Sequence, residues 1–222
     1  MIILGIDTSG SKASVALAAP DKVICEMGVN SGLTHSQTLM PMIEQLFKIS
    51  GLTLEDVGLL ACSAGPGAFT GLRIGASVAK GLGLGLQLKI VPVSTLEALA
   101  YNVFMEDTKI VPVMDARRSQ VYAAVYQDFQ CIYQPAVCEV ANVLELVSNH
   151  PAVFLGDAAP IYQSEILKAG HKIAPPHLLL QNAGNVAFLA HRYAHCAVDS
   201  YEFSLTYIRQ SQAERERGLV HV

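Results

Sequence analysis

The residues best suited to chemistry in this chain sit in two glycine-containing loops. The first is Asp7-Thr8-Ser9-Gly10-Ser11, directly after an apolar run at 2–7. An aspartate at a strand end, followed by hydroxyl residues and glycine, can hold a metal-bound phosphate: hydroxyls and backbone N–H groups face the anion while the carboxylate orients Mg²⁺ or its waters. The same residues also make an ordinary tight hairpin, and Lys12 beside them suits either reading. The second loop is 63–71, SAGPGAFTG. It joins an apolar strand to a helix, so a helix N-terminus faces whatever lies beyond the strand ends. Gly65, Gly67 and Gly71 permit close backbone approach there, to an anion, to a substrate, or simply within a compact turn. The glycine spacing does not fit a P-loop.

Other chemistries lack their residues. His35 has Leu39 four positions on, so neither HxxxH nor HExxH is present. His191 and His195 are four apart but have no third ligand near them in sequence. There is no GxSxG. Cys62 lies inside an apolar run, where an inert thiol is expected. The five cysteines (Cys25, Cys62, Cys131, Cys138, Cys196) are odd in number and contain no CxxC, which predicts buried thiols in a reducing compartment.

The elements that must carry these loops are readable from hydrophobic period. Runs at 2–7, 13–19 and 22–29 predict a three-stranded antiparallel meander. Residues 35–50 form a helix whose apolar residues cover roughly 180°, ended by Gly51. A buried strand is expected at 57–63, a helix at 71–86 and a strand at 89–93. A third helix is capped by Ser94, with Glu97 completing the box. The pattern then starts again: with Asp115 placed under Asp7, IVPVMD lies under IILGID. Strands near 129–138 and 152–155 and helices at 139–149, 160–169 and 185–197 follow. The chain thus reads as α/β, two repeated β-β-β-α-β-α lobes with the second reduced. Residues 1–106 form the N-terminal lobe, 107–208 the C-terminal lobe and 209–222 a polar tail.

Two helices carry more apolar surface than a single sheet contact requires. In 71–86 only Arg73 and Lys80, about 20° apart on a helical wheel, mark a wet edge. Either these helices are sandwiched inside the chain, or they also pack on a partner. In the second case Leu39, Met42, Ile43 and Leu46 would meet Ile74, Val78 and Leu82 or their equivalents, and a self-pairing would use one patch twice. Composition sets limits. The 222 residues are 51% apolar and 15% charged, with net charge −4. A slightly acidic chain is poorly equipped to grip a polyanion alone. No run is long and apolar enough to span a membrane. A cytoplasmic protein is expected.

GIDTS at 5–9, HSQTLMPMI at 35–43, SAGPGAFTGLRIG at 63–75, PVSTLEALA at 92–100, MDARRSQVY at 114–122 and YIR at 207–209 together resemble the bacterial tRNA threonylcarbamoyladenosine biosynthesis family TsaB, also called YeaZ. The match runs in order along nearly the whole chain, and the 63–75 segment is its most specific part. The resemblance implies a two-lobed actin-like ATPase (ribonuclease H-like) fold. It also implies a non-catalytic scaffold that pairs with a TsaD-like transferase, which modifies N6 of the adenosine 3′ of the anticodon in tRNA. TsaD carries a metal-binding HxxxH that this chain lacks, so the chain resembles the degenerate partner. A TsaE-like P-loop ATPase would engage the pair, with ATP and Mg used by the complex and tRNA reached only through it. A homodimer is implied when TsaD is absent. The competing expectation is a stand-alone ATP-dependent kinase or phosphohydrolase using Asp7, Thr8, Ser9, Gly65 and Gly67, with Asp115 across the cleft.

Overall fold

The computed structural model describes residues 1–208, so the polar tail and Arg209 lie outside the described residues. The chain builds two five-stranded sheets of the same topology. In the first, β1 (Ile2–Asp7), β2 (Ala13–Ala19) and β3 (Lys22–Val29) form the antiparallel meander. β4 (Val57–Gly65) and β5 (Ile90–Ser94) then add in parallel, giving the order β3-β2-β1-β4-β5. In the second, β6 (Lys109–Arg117), β7 (Gln120–Gln127) and β8 (Gln130–Cys138) repeat the meander. β9 (Ala152–Leu155) and the short β10 (Lys172–Ile173) extend it in parallel. Asp7 and Asp115 occupy equivalent places at the ends of β1 and β6.

Helices cover the first sheet on both sides. Leu4, Ile6, Val15, Leu17 and Leu60 point to one face, beneath α1 (His35–Ser50) and α2 (Phe69–Leu86). Ile3, Ala18, Leu59 and Ala61 point to the other, because side chains alternate along a strand. There they meet α3 (Thr95–Ala100) and α6 (Ala183–Arg192). The second sheet buries Val111, Val113, Val121 and Phe154 with α4 (Val140–Val147) and α5 (Gln163–Lys168). Its opposite face packs Ile110, Met114 and Leu155 on Leu96 and Leu99 of α3. α3 is therefore shared between the two sheets.

Three expectations are corrected. By position in the chain, α6 belongs with the second half, yet it packs on the first sheet: a Cβ at Gly5 would meet Ala183 and Ala187. Residues 198–208 follow it back, with Val198 bridging Ile90, Phe203 buried in the first core and the Thr206 N–H donating to the Ala64 carbonyl at 2.7 Å. Second, only Cys62 of the five free cysteines is buried; Cys196 is exposed and the others are half-buried. Third, Leu39, Met42, Ile43 and Leu46 are at most 4% exposed. They are the core-facing stripe of α1 and cannot form a contact with another molecule. β2, β3 and α2 of this same chain cover that stripe, while Met40 and Ile49, at the margins of the roughly 180° arc, stay exposed.

Candidate functional site

The two glycine-containing loops do come together, at the C-terminal ends of β1 and β4, but their polar groups are spent on each other. Asp7 is fully buried. Its Oδ1 accepts from the Ser9 N–H (2.9 Å) and the Ser9 hydroxyl (2.6 Å), and its Oδ2 accepts from the Ser63 hydroxyl (2.6 Å). Burial pushes the Asp7 carboxyl above its ordinary value of 3.8, against the smaller opposing pull of those hydrogen bonds and of Lys12. The Thr8 hydroxyl donates to the Gly71 carbonyl at 2.7 Å. The Ala68 N–H, at the mouth of α2, donates to the Ser9 carbonyl at 2.7 Å. A Cβ at Gly67 would meet that same carbonyl, and one at Gly71 would meet the Thr8 carbonyl. Gly65, at φ +115, lies against the Thr206 carbonyl.

The glycines thus serve close packing of loop on loop. Among the phosphate-loop candidates Asp7, Thr8, Ser9, Gly65 and Gly67, the Asp7 carboxylate and the Thr8 and Ser9 hydroxyls all have partners within the chain. Of the N–H groups of the two loops, those of Ser9 and Ala68 are paired within the chain.

Asp115 is likewise occupied with its own turn. Its Oδ1 accepts from the Arg117 N–H at 2.7 Å, and Oδ2 lies 3.3 Å from the Arg117 guanidinium. Asp157 accepts from the Asp115 N–H at 3.0 Å, and burial raises the Asp157 carboxyl. An open cleft of about 420 Å³ lies between Ser9–Ser11 and Pro66–Phe69 on one side and Asp115–Arg118 on the other. Thr206–Ile208 run along it.

Of the remaining candidates, burial and the neighbouring Asp7 push the Cys62 thiol upward, away from thiolate chemistry. His35 donates from Nε2 to the Gly10 carbonyl at 2.8 Å. α6 ends at Arg192, so His191 and His195 do not share a helix face. No cluster of three His, Cys, Asp or Glu suited to a metal occurs among the described residues.

What the chain leaves open is the outer side of α2. Ile74, Val78 and Leu82 are half-buried, touching the core with one side only. Ser36, Phe69, Arg73, Ile74 and Val78 line a groove of about 480 Å³ on one flank. On the other, Arg73, Ala76 and Lys80 face Phe203–Leu205 and Tyr207 across about 430 Å³. The Arg73 guanidinium lies 3.7 Å from the centre of the Phe69 ring, and its Nε donates to the Tyr207 hydroxyl at 3.3 Å. The glycines of α2 divide into two classes. Cβ atoms at Gly71, Gly75 and Gly83 would meet Thr8 or Ser200, whereas those at Gly81 and Gly85 would meet nothing. Ile74, Val78, Gly81 and Gly85 are spaced four, three and four residues apart, so they form one outward stripe.

Residues that sequence reasoning missed include Ser63, whose partnership with Asp7 needs two strands in register, and the 198–208 return. Comparison with known proteins places this geometry. The family model for TsaD, tRNA N6-adenosine threonylcarbamoyltransferase, matches residues 30–213. The TsaB protein of Bacillus subtilis is 35% identical over 172 residues, 75% of this chain and 75% of its own. That of Haemophilus influenzae is 32% identical over 195 residues, covering 81% and 82%. A Pseudomonas aeruginosa structure described as similar to peptidase YEAZ superposes with a TM-score of 0.78 at 25% identity, covering 94% of this chain and 99% of that one. Component A of (R)-2-hydroxyglutaryl-CoA dehydratase from Acidaminococcus fermentans, with a TM-score of 0.53 at 11% identity over 88% of this chain and 99% of that one, shares the fold alone. With the repeated sheets, the interlocked loops and relatives matched over three quarters or more of their length, the chain belongs to the TsaB family.

Proposed function

We propose that this protein acts in tRNA threonylcarbamoyladenosine biosynthesis as a non-catalytic subunit. It pairs through α2 with a TsaD-like transferase, and with a second copy of itself when that partner is absent. The observation that carries this reading is the stripe Ile74, Val78, Gly81, Gly85. An exposed helix glycine lowers stability by about 1 kcal/mol relative to alanine, and nothing in this chain requires glycine at 81 or 85. A partner helix approaching closely does require it, and the flanking apolar residues supply the surface to bury. About 800 Å² per subunit is expected for such a contact.

In this reading the protein makes and breaks no bonds. It binds one conformation of the transferase better than others and shifts its population accordingly. The TsaE-like ATPase, ATP, Mg and tRNA belong to the assembled complex, and the setting is the cytoplasm. The kinase alternative would use an Asp7 carboxylate that is already hydrogen-bonded to Ser9 and Ser63.

Val78→Glu tests the assignment. A carboxylate desolvated at the contact should weaken pairing with the transferase by about a hundredfold and abolish stimulation of tRNA modification. Val78 also touches the first core, so the variant's melting temperature should fall by a few degrees while the protein stays folded. Normal pairing by a folded Val78→Glu protein refutes the assignment. So does tight ATP·Mg binding by the isolated chain that Asp7→Ala removes.

A further inference from the structure

On the face of the first sheet opposite α1 and α2, four aromatic rings from three segments form a continuous ridge. Phe104, from the connection between α3 and β6, stacks on Phe129 with ring centres 5.0 Å apart and planes 12° apart. Phe129 lies 4.5 Å from Tyr101, at the end of α3, and Tyr101 lies 6.2 Å from Phe188 on α6. Despite this mutual packing, Phe104 is 57% exposed, Phe188 48% and Phe129 38%, with Met105 beside them. The cavity beneath the ridge is only about 10 Å³, so no small molecule inserts there. The ridge is a surface.

The backbone at its centre is strained. Asp128 and Phe129 form the two-residue turn between β7 and β8, with φ of 49° and 60°. Such turns favour glycine at the second position, and a bulky side chain with positive φ is unfavourable. Phe129 buries part of its ring against Tyr101 and Phe104, yet more than a third of the residue stays in water. Strain held at an exposed aromatic is a reason to look for a function.

The charge around the ridge identifies the kind of occupant. Glu106 and Asp107, two and three residues after Phe104, and Asp128, next to Phe129, are exposed, and none is in an ion pair with a described residue. Of the nearby cations, Lys109 donates away from the ridge, to the Leu146 carbonyl at 3.4 Å, and Arg192 is held on the Tyr101 hydroxyl at 2.9 Å, which leaves the Phe104–Phe129 end to the carboxylates. Three carboxylates close in sequence to the stacked Phe104 and Phe129 rings repel a phosphate backbone, which disfavours base stacking by RNA at that end despite the aromatic content. They attract guanidinium and ammonium groups, which also bind the faces of aromatic rings. We infer that this ridge is a docking site for a basic, apolar-interspersed segment of a partner protein, separate from the α2 surface and able to be occupied at the same time.

The test uses the isotope-labelled full-length chain and an acetylated, amidated Arg-Phe-Arg-Phe-Arg peptide. Saturable amide shifts are expected at Tyr101–Met105, Asp128–Phe129 and Phe188. Phe129→Gly removes the ring while relieving the turn, so the variant stays folded, and affinity should fall about tenfold. Phe104→Ala should act in the same direction, and Asp128→Asn should weaken binding severalfold. Equal binding by Phe129→Gly overturns the inference. So does binding at the ridge by oligoadenylate or by the peptide with glutamate in place of arginine, or the absence of saturable binding to the unaltered chain.

Discussion

At the scale of single residues, Asp7 shows how context overrides composition. Aspartate, hydroxyls and glycine in one turn are equally the ingredients of a phosphate loop and of a self-satisfied hairpin, and the sequence contains both possibilities. The outcome depends on Ser63, 56 residues away, which takes the second carboxylate oxygen. Burial then has a consequence for stability. The folded state holds the Asp7 carboxyl above its ordinary 3.8, so folding favours the neutral acid. That contribution is fully present below the ordinary value and is lost as pH rises through the higher folded-state value. Asp7→Asn is neutral throughout and keeps an acceptor for Ser9. Wild type and variant should respond differently to pH in thermal melts, the variant gaining relative stability as pH rises above about 4. A constant difference across the acid range would show that Asp7 does not titrate with folding.

At the scale of elements, α1 and α2 looked alike in sequence and differ in the structure. Both have wide apolar arcs. In α1 the middle of the arc is covered by β2, β3 and α2, so Leu39, Met42, Ile43 and Leu46 are core, with Met40 and Ile49 exposed at its margins. In α2 the helix is pressed to the end of β1 by Gly71 and Gly75 and to Ser200 of the returning chain by Gly83, and the remaining arc stays at the surface. Helical periodicity identifies which residues share a face but not how many neighbours that face meets. Two alanine substitutions separate the glycine classes. Gly71→Ala drives a methyl into the Thr8 carbonyl and should lower stability by about 1–3 kcal/mol. Gly81→Ala meets open space and should raise stability by about 1 kcal/mol, while weakening association with the transferase. Denaturant unfolding of the two variants beside a binding titration checks both halves. Equal stability changes would refute the division.

At the scale of the whole molecule, the decisive feature is the return of 183–208 to the first sheet. α6 closes the face under β1, and Phe203 fills the core on the side of α1 and α2. Phe203→Ala should therefore cost about 3–5 kcal/mol and unfold the first sheet, although the residue lies near the end of the described chain. Amide exchange should show protection lost in β1 and β4; loss confined to β6–β9 would contradict the packing. The same return carries Tyr207 to Arg73, joining the interlobe cleft to the α2 groove.

The sequence alone determined the period of each strand and helix, the 108-residue offset that aligns Asp115 with Asp7, the Ser94 cap and the family motifs. These are local signals, set by side-chain alternation and turn chemistry within a few residues. Only the tertiary structure decided which apolar stripe is core, which glycines are spent on packing and where the last helix docks. Each of those depends on contacts between segments far apart in the chain, and no local pattern encodes a distance.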